Sequence, residues 1–259
     1  MLAKLTVKDL YPLALAEGEG MGTAYEYYVK RMALSRMLSG MAQPRSILIA
    51  GLPQKYGASL DFVLLASELN AELTIIDDRP QAVNRLRDSL HAFVRMDSVP
   101  RLNPPAVILL SDLDLLTSIQ GQYDLALSSE VLQRLPLRVR TTYVRRLREL
   151  SAAQALFCPN ADNEAHNSRS GLAGLRLEEM VDLLATGDGP ERKATAGFID
   201  MPPFPPGITR TAAQRDDATS GRLEAFVMWG LGLYAHMERF IPGAIHRRQA
   251  HIVYTLHSG

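Results

Sequence analysis

His166 stands in the stretch PNADNEAHNSRSG, where Asn160, Asn163, Asn167 and Arg169 crowd around it in sequence. An imidazole titrates near neutral pH, so in this polar setting it could take a proton from a substrate. The amides and Arg169 would hold the rest of the molecule by hydrogen bonds, although a surface loop rich in Asn and Ser has the same composition. A second set of capable residues recurs where apolar runs end. Gly51 follows SILIA, Asp77 and Asp78 follow LTII, Asp112 lies just past AVILL, Ser128 and Glu130 close YDLALSSE, and Asn160 ends ALFCP. A third is the proline-rich stretch MPPFPPGITR. Phe204 there sits between two proline pairs, close to Thr209 and Arg210, as a stiff wall for a pocket or a ridge for a partner. His251 opens a strand and His236 sits among Tyr234, Met237 and Phe240, so both read as packing residues. None of the six histidines pairs at H-x-x-x-H spacing on a helix, and no metal centre is expected.

Residues at the ends of apolar runs matter only if those runs are strands of one sheet. ILIA is a continuous apolar run of the kind a buried parallel strand needs. Gly51 then permits a sharp turn, Gly57 a close approach, and Phe62, Leu65, Ala66 and Leu69 recur at helical spacing. Further strands are expected near 73–76, 107–110, 125–127, 155–158 and 198–201, with HIVYTL as the last. Helices are expected over 23–39, 80–90, 138–150 and 175–184. The amphipathic run of Leu223, Phe226, Val227, Leu231 and Tyr234 is a further helix. Strands alternating with helices indicate parallel β-α units, whose ligands sit beyond the carboxyl ends of the strands.

The chain has 259 residues, 47% of them hydrophobic, enough for a core that needs no disulfide or metal. Cys158 is the one cysteine, which suits a reducing compartment. The start of the chain lacks a signal-peptide core, and no apolar run approaches the roughly 20 residues needed to cross a bilayer. A soluble cytoplasmic protein without membrane attachment is expected. With 28 basic and 28 acidic residues there is no bulk attraction to nucleic acid. Arg134, Arg138, Arg140, Arg145, Arg146 and Arg148 spread around a helix and read as its solvated face.

In order and spacing, ILIAGLPQKYG, LTIIDD, SDLDLL, YDLALSSEVLQRLP and ALFCPN resemble the class I S-adenosylmethionine-dependent methyltransferases, over roughly residues 22–256. The resemblance implies an α/β, Rossmann-like sheet of seven mostly parallel strands with helices on both faces and an antiparallel last strand. It implies one domain over 1–259: a helical cap (1–40), a cofactor-binding core (41–200), an insertion walling the substrate (201–248) and the last strand (249–259). Carried over residue by residue, Gly51 would let the methionine part of S-adenosylmethionine lie against backbone, and Gly57, a displaced later glycine of the motif, would also border the cofactor. Asp77 would accept from the ribose hydroxyls, Asp112 from the adenine amino group with Asp114 as its competitor, and Ser128 and Glu130 would face the sulfonium. Tyr25 and Tyr28 would cap the site from the N-terminal helix. Asn160, Arg169, Phe204 and Arg210 would meet the substrate, and His166 would be the base. The chain departs from the family pattern at Ile49, where an acid is usual, at Pro53 and Lys55, where glycines are usual, and at Arg134, in a common histidine place.

The implied activity is methyl transfer to a small molecule by in-line attack on the sulfonium methyl, with a homodimer left open. The alternative is a methyltransferase fold that no longer catalyses and serves as a binding or assembly partner. Erosion at Ile49, Pro53 and Lys55 favours the alternative; retention of Asp77 and Asp112 favours the enzyme. A dinucleotide oxidoreductase is opposed by Asp61, whose carboxylate would repel a pyrophosphate at the helix N-terminus.

Overall fold

The computed structural model of the chain describes residues 4–54, 57–95, 104–112, 116, 118–185, 193–203 and 222–258. Seven strands form one sheet: β1 (Ser46–Ala50), β2 (Glu72–Asp77), β3 (Ala106–Leu109), β4 (Tyr123–Ser129), β5 (Ser151–Pro159), β6 (Lys193–Ile199) and β7 (Ile252–Ser258). Their spatial order is β3-β2-β1-β4-β5-β7-β6. The first five are parallel, and β7 runs antiparallel between β5 and β6. The order reverses beside β1, which leaves a crevice beyond the carboxyl ends of β1 and β4. Pairing of Pro159 and Ile199 with Ile252 brings the ends of β5 and β6 and the start of β7 to that same edge.

Alternation along β1 splits the core into two layers. Ile47 and Ile49 join Leu125, Leu127 and Phe157 on one face. That layer is closed by helices α1 (Val7–Ala16), α2 (Met21–Leu38), α3 (Leu60–Leu69), α4 (Pro80–Val94) and α8 (Arg222–Glu238). Leu48 and Ala50 face the other way, where α5 (Leu137–Leu150) brings Tyr143, Val144 and Leu147, and α7 (Leu177–Ala185) brings Met180 and Leu184. Two short helices, α6 (Glu164–Ser170) and α9 (Gly243–Gln249), border the strand ends. The expected strands are present, but β6 begins earlier than its apolar letters suggested, and the expected loop around His166 is helical. The arginines of 134–148 are less solvated than expected: Arg146 bonds to the carbonyls of Leu116 and Ile119, and Arg148 to that of Leu184.

Helix α1 carries Pro12 inside it but has a strong start. Thr6 Oγ1 accepts from Asp9 N–H while the Asp9 carboxylate accepts from Thr6 N–H, a capping box. Beyond α1, Glu17 reaches the N-terminus of α3, where its carboxylate accepts from Leu60 N–H at 2.7 Å and from the Tyr27 hydroxyl. Burial pushes the Glu17 carboxyl up to about 7. A raised carboxyl stabilises the fold fully below its unfolded value near 4.5, and that contribution is lost as pH rises through 7. Glu17→Gln keeps the bond from Leu60 N–H on its carbonyl oxygen and turns its amide N–H to donate to the Tyr27 oxygen, without the charge. It is expected to raise stability by on the order of 2 kcal/mol at pH 8, a few degrees in melting temperature, and to change little at pH 4.5. Melting curves at the two pH values check this; an equal effect at both would rule out the buried charge as the cause.

Candidate functional site

Backbone geometry at the strand ends sets the site. Gly51 turns at φ 81° while its N–H donates to Ile76 O at 2.9 Å, which sends Leu52 and Pro53 across the sheet edge. Glu130, directly after β4, and Asp200, directly after β6, both adopt left-handed backbone, with φ 54° and 67°. Neither is glycine, and such positions cost energy that the surrounding structure must supply. Glu130 N–H donates to Phe157 O at 2.9 Å, and its carboxylate accepts from Gln54 N–H at 3.1 Å.

A cluster of charges lies between α2, the loop after β1 and the end of β4. Lys30 is buried, donates to Ser129 Oγ at 2.9 Å and pairs with Glu26. Burial alone would weaken its cation, but the charges of Glu26 and Asp61 outweigh it and raise the ammonium pKa. Burial pushes Asp61, in the first turn of α3, up to about 6. Glu26, Lys30, Pro53, Ser59, Asp61, Ser129 and Glu130 line a narrow hollow there.

Asp77 ends β2 as expected, but its carboxylate is already filled. It is fully buried and accepts from Leu52 N–H at 2.7 Å, Arg79 N–H at 2.8 Å, Arg79 Nε at 2.9 Å, Arg79 Nη2 at 2.9 Å and Arg134 Nη2 at 3.3 Å. Burial works against the anion, yet these bonds and the two guanidinium charges hold the carboxyl below its usual range. Arg79 also donates to the Leu52 and Pro53 carbonyls, and Arg134 pairs with Asp78 at 3.0 Å. The expectation of open space beside Asp77 for a diol is therefore corrected.

At the other end of the crevice, His251 Nδ1 meets Asp200 Oδ2 at 3.0 Å, and the His166 ring stacks on the His251 ring with centroids 4.1 Å apart. Burial opposes the His251 cation, but the Asp200 carboxylate outweighs it and raises the imidazole pKa. Both rings line a cavity of about 380 Å³ together with Asn163, Arg169, Tyr234 and Pro202. A second hollow joins His166, His251 and Asp200 to Glu26, Ser129 and Glu130. Shared walls thus connect the cavity, through Ser129 and Glu130, to the Lys30 cluster.

The other expected site residues divide. His166 and Arg169 line the large cavity, and Glu130 lies where the hollows meet. Ser128 does not face the crevice. Its hydroxyl is 3.0 Å from Tyr143 on the opposite face, and strand alternation turns Ser129 inward in its place. Asn160 is structural: fully buried, it donates to Arg247 O and Ala250 O and accepts from Asp162 N–H. Tyr25 is likewise buried, donating to Glu238 at 2.5 Å, while Tyr28 contacts His236 at 3.3 Å on α8. Gly57, with φ 70°, makes room for Glu17 and the Tyr27 hydroxyl rather than for a ligand. Asp112 lies exposed beyond β3, and Asp114, Phe204 and Arg210 lie outside the described residues. Sequence reasoning missed Asp200 and His251 as a pair. The missing signal was topological: only antiparallel β7 brings the residue before it to the carboxyl edge.

This strand order with an antiparallel β7 is the fold of the class I S-adenosylmethionine-dependent methyltransferases. Among solved structures, the chain is similar to magnesium protoporphyrin IX methyltransferase (ChlM) from Synechocystis PCC 6803, solved with bound SAM. That match has 12% identity over 100% of each chain and a TM-score of 0.52. It is also similar to the methyltransferase domain of bacterial CtHen1, with 11% identity, 92% of this chain, 100% of that one and a TM-score of 0.52. TehB from Haemophilus influenzae matches at 12% identity and a TM-score of 0.46 over 88% of this chain, which spans 60% of TehB. No family model matches the chain, and no curated protein matches it in sequence.

The residues present fit S-adenosylmethionine with one change. A carboxylate offers about four lone-pair sites, so Asp77, with five N–H donors, has none left for a ribose. The Arg79 side chain is 26% exposed and has a path to solvent, and its departure would leave three donors and open one acceptor site, on Oδ1. The Lys30, Glu26, Asp61 and Glu130 cluster offers partners of both signs for an amino-acid end.

Proposed function

We propose that the chain transfers a methyl group from S-adenosylmethionine to a small acceptor that must lose a proton from oxygen or nitrogen. The observation that carries this reading is the Asp200–His251 pair opening onto the cavity at the carboxyl edge of the sheet. When bound, the cofactor would supply an electrophilic methyl group on sulfur. Asp77 would hold the ribose once Arg79 leaves it, and the Lys30 cluster would hold the amino-acid end. Asp200 fixes His251 through Nδ1, which leaves Nε2 to take the acceptor proton. His166 stacks on that ring and limits its rotation, and Arg169 suits an acceptor bearing a carboxylate. A cavity of about 380 Å³ is of the size that takes a small molecule.

Calorimetric titration with S-adenosylmethionine and its demethylated product tests the reading. Micromolar binding is expected, and absence of heat at millimolar ligand would move the chain to the non-catalytic alternative. The same titration tests the arginine. Arg79→Ala is expected to tighten cofactor binding about tenfold, a gain of about 1.4 kcal/mol, because the ribose no longer competes with a guanidinium. Unchanged or weaker binding would mean that Arg79 does not stand in the way.

A further inference from the structure

Among the described residues, helix α8 is fixed by one face and bare on the other. Met228, Leu231, Ala235 and Glu238 are buried, and Glu238 is tied to Tyr25 and to His246 at 2.8 Å. The opposite side carries Phe226, Trp229, Leu233 and Met237, continued by Phe240 just past the helix end, with exposures of 66%, 60%, 49%, 64% and 73%. Phe226 and Trp229 stack on each other, and Arg239 lies over the Phe240 ring. Together with Ile245, exposed by 51%, these side chains offer roughly 700–800 Å² of apolar surface. A monomer ordinarily shows a few hundred Å² in one patch, and about 800 Å² is one partner's share of a stable interface.

The spacing says which partner. The intervals along the stripe are 3, 4, 4 and 3 residues, which read the same in both directions about Leu233. A two-fold interface requires that if residue i meets residue j, then j meets i. Two copies of α8 laid antiparallel meet this condition: Leu233 faces Leu233, Trp229 faces Met237, and Phe226 faces Phe240. By the same count Gly230 lies opposite His236, and among the described residues nothing lies within 4 Å of where a Gly230 side chain would start. We propose that the chain forms a two-fold dimer through this stripe, with Leu233 on the axis.

Light scattering of the full chain at micromolar concentration is expected to give about twice the 28.6 kDa chain mass. Leu233→Asp and Leu233→Arg, each placing like charges on the axis, are expected to weaken self-association at least a hundredfold. Mixing the two is expected to restore a dimer. Leu233→Cys should cross-link to itself on mild oxidation, since the native Cys158 is buried. Phe226→Cys should cross-link to Phe240→Cys but not to itself. A monomeric wild type overturns the proposal, whether the stripe is then covered by the chain's own residues or binds lipid vesicles. A dimer that survives Leu233→Asp, or that fails the cysteine pairing, overturns it equally.

Discussion

His251→Ala is expected to lower the methyl-transfer rate about a thousandfold, within the range of roughly 10²–10⁴ for a positioned general base, while cofactor affinity stays unchanged. The pH dependence assigns the role more firmly than the loss does. The Asp200 carboxylate raises the His251 pKa above its ordinary 6.5, so activity should rise with pH through a midpoint above 6.5 as the imidazole becomes neutral. Asp200→Asn removes that charge, lowers the imidazole pKa, and should shift the acid limb to lower pH while cutting the rate about tenfold. A general structural weakening would lower the rate without moving the limb. His166→Ala should cost about tenfold, as the loss of a stacked support. The reverse order, His166→Ala abolishing activity and His251→Ala sparing it, would transfer the base assignment to His166.

Asp77→Ala is expected to damage both fold and binding. The carboxylate is fully buried, and the Arg134 side chain beside it is only 13% exposed. Removing one partner of such an arrangement leaves cations uncompensated and costs about 3–5 kcal/mol, a drop of roughly 10 °C in melting temperature for a chain of this size. Cofactor affinity should also fall at least tenfold, since one charge-assisted bond to a ribose hydroxyl contributes roughly 1.5–3 kcal/mol. Asp78→Ala is the control. It loses a largely buried pair with Arg134 at 3.0 Å but leaves Arg134 paired with Asp77, and should cost clearly less stability than Asp77→Ala, about 1–2 kcal/mol. A variant at Asp77 as stable as wild type would show that the two arginines do not depend on it.

The sheet was legible because its interior strands are buried on both faces: ILIA, TIID and ALFC have no other way to bury their side chains. The glycine and acids at the strand ends were legible for the same reason, since a run that must stop in a parallel sheet stops at the ligand edge. What the letters hid was direction and occupancy. Ser128 and Ser129 differ by one residue, and the pleat alone decides which faces the crevice. Asn160 looks like a ligand contact until the segment at Arg247 and Ala250 folds over it and takes its amide. Asp77 carries the right carboxylate, yet Arg79 and Arg134, two and 57 residues away, fill it. Helix α1 was concealed by Pro12 in its middle, although Val7, Leu10, Tyr11 and Ala14 stand at helical spacing and the Thr6 and Asp9 spacing was readable. Asp200 and His251 come together only through the antiparallel turn of the last strand.

The four non-glycine residues with positive φ are unevenly placed among the described residues. Ser59, Glu130 and Asp200 stand at the carboxyl edge, and Asn70 follows α3. For anyone engineering this chain, the first three would be attractive targets, because glycine or asparagine relieves left-handed backbone at little steric cost. Glu130→Gly is the substitution a screen for heat tolerance would favour and a screen for turnover would reject, whereas Asp200→Gly would also strip the buried His251 of its partner. Asn70 already carries the tolerant residue and needs no change. Robustness and activity are therefore set against each other at the same few peptide bonds, and a lineage under selection for one would lose ground in the other.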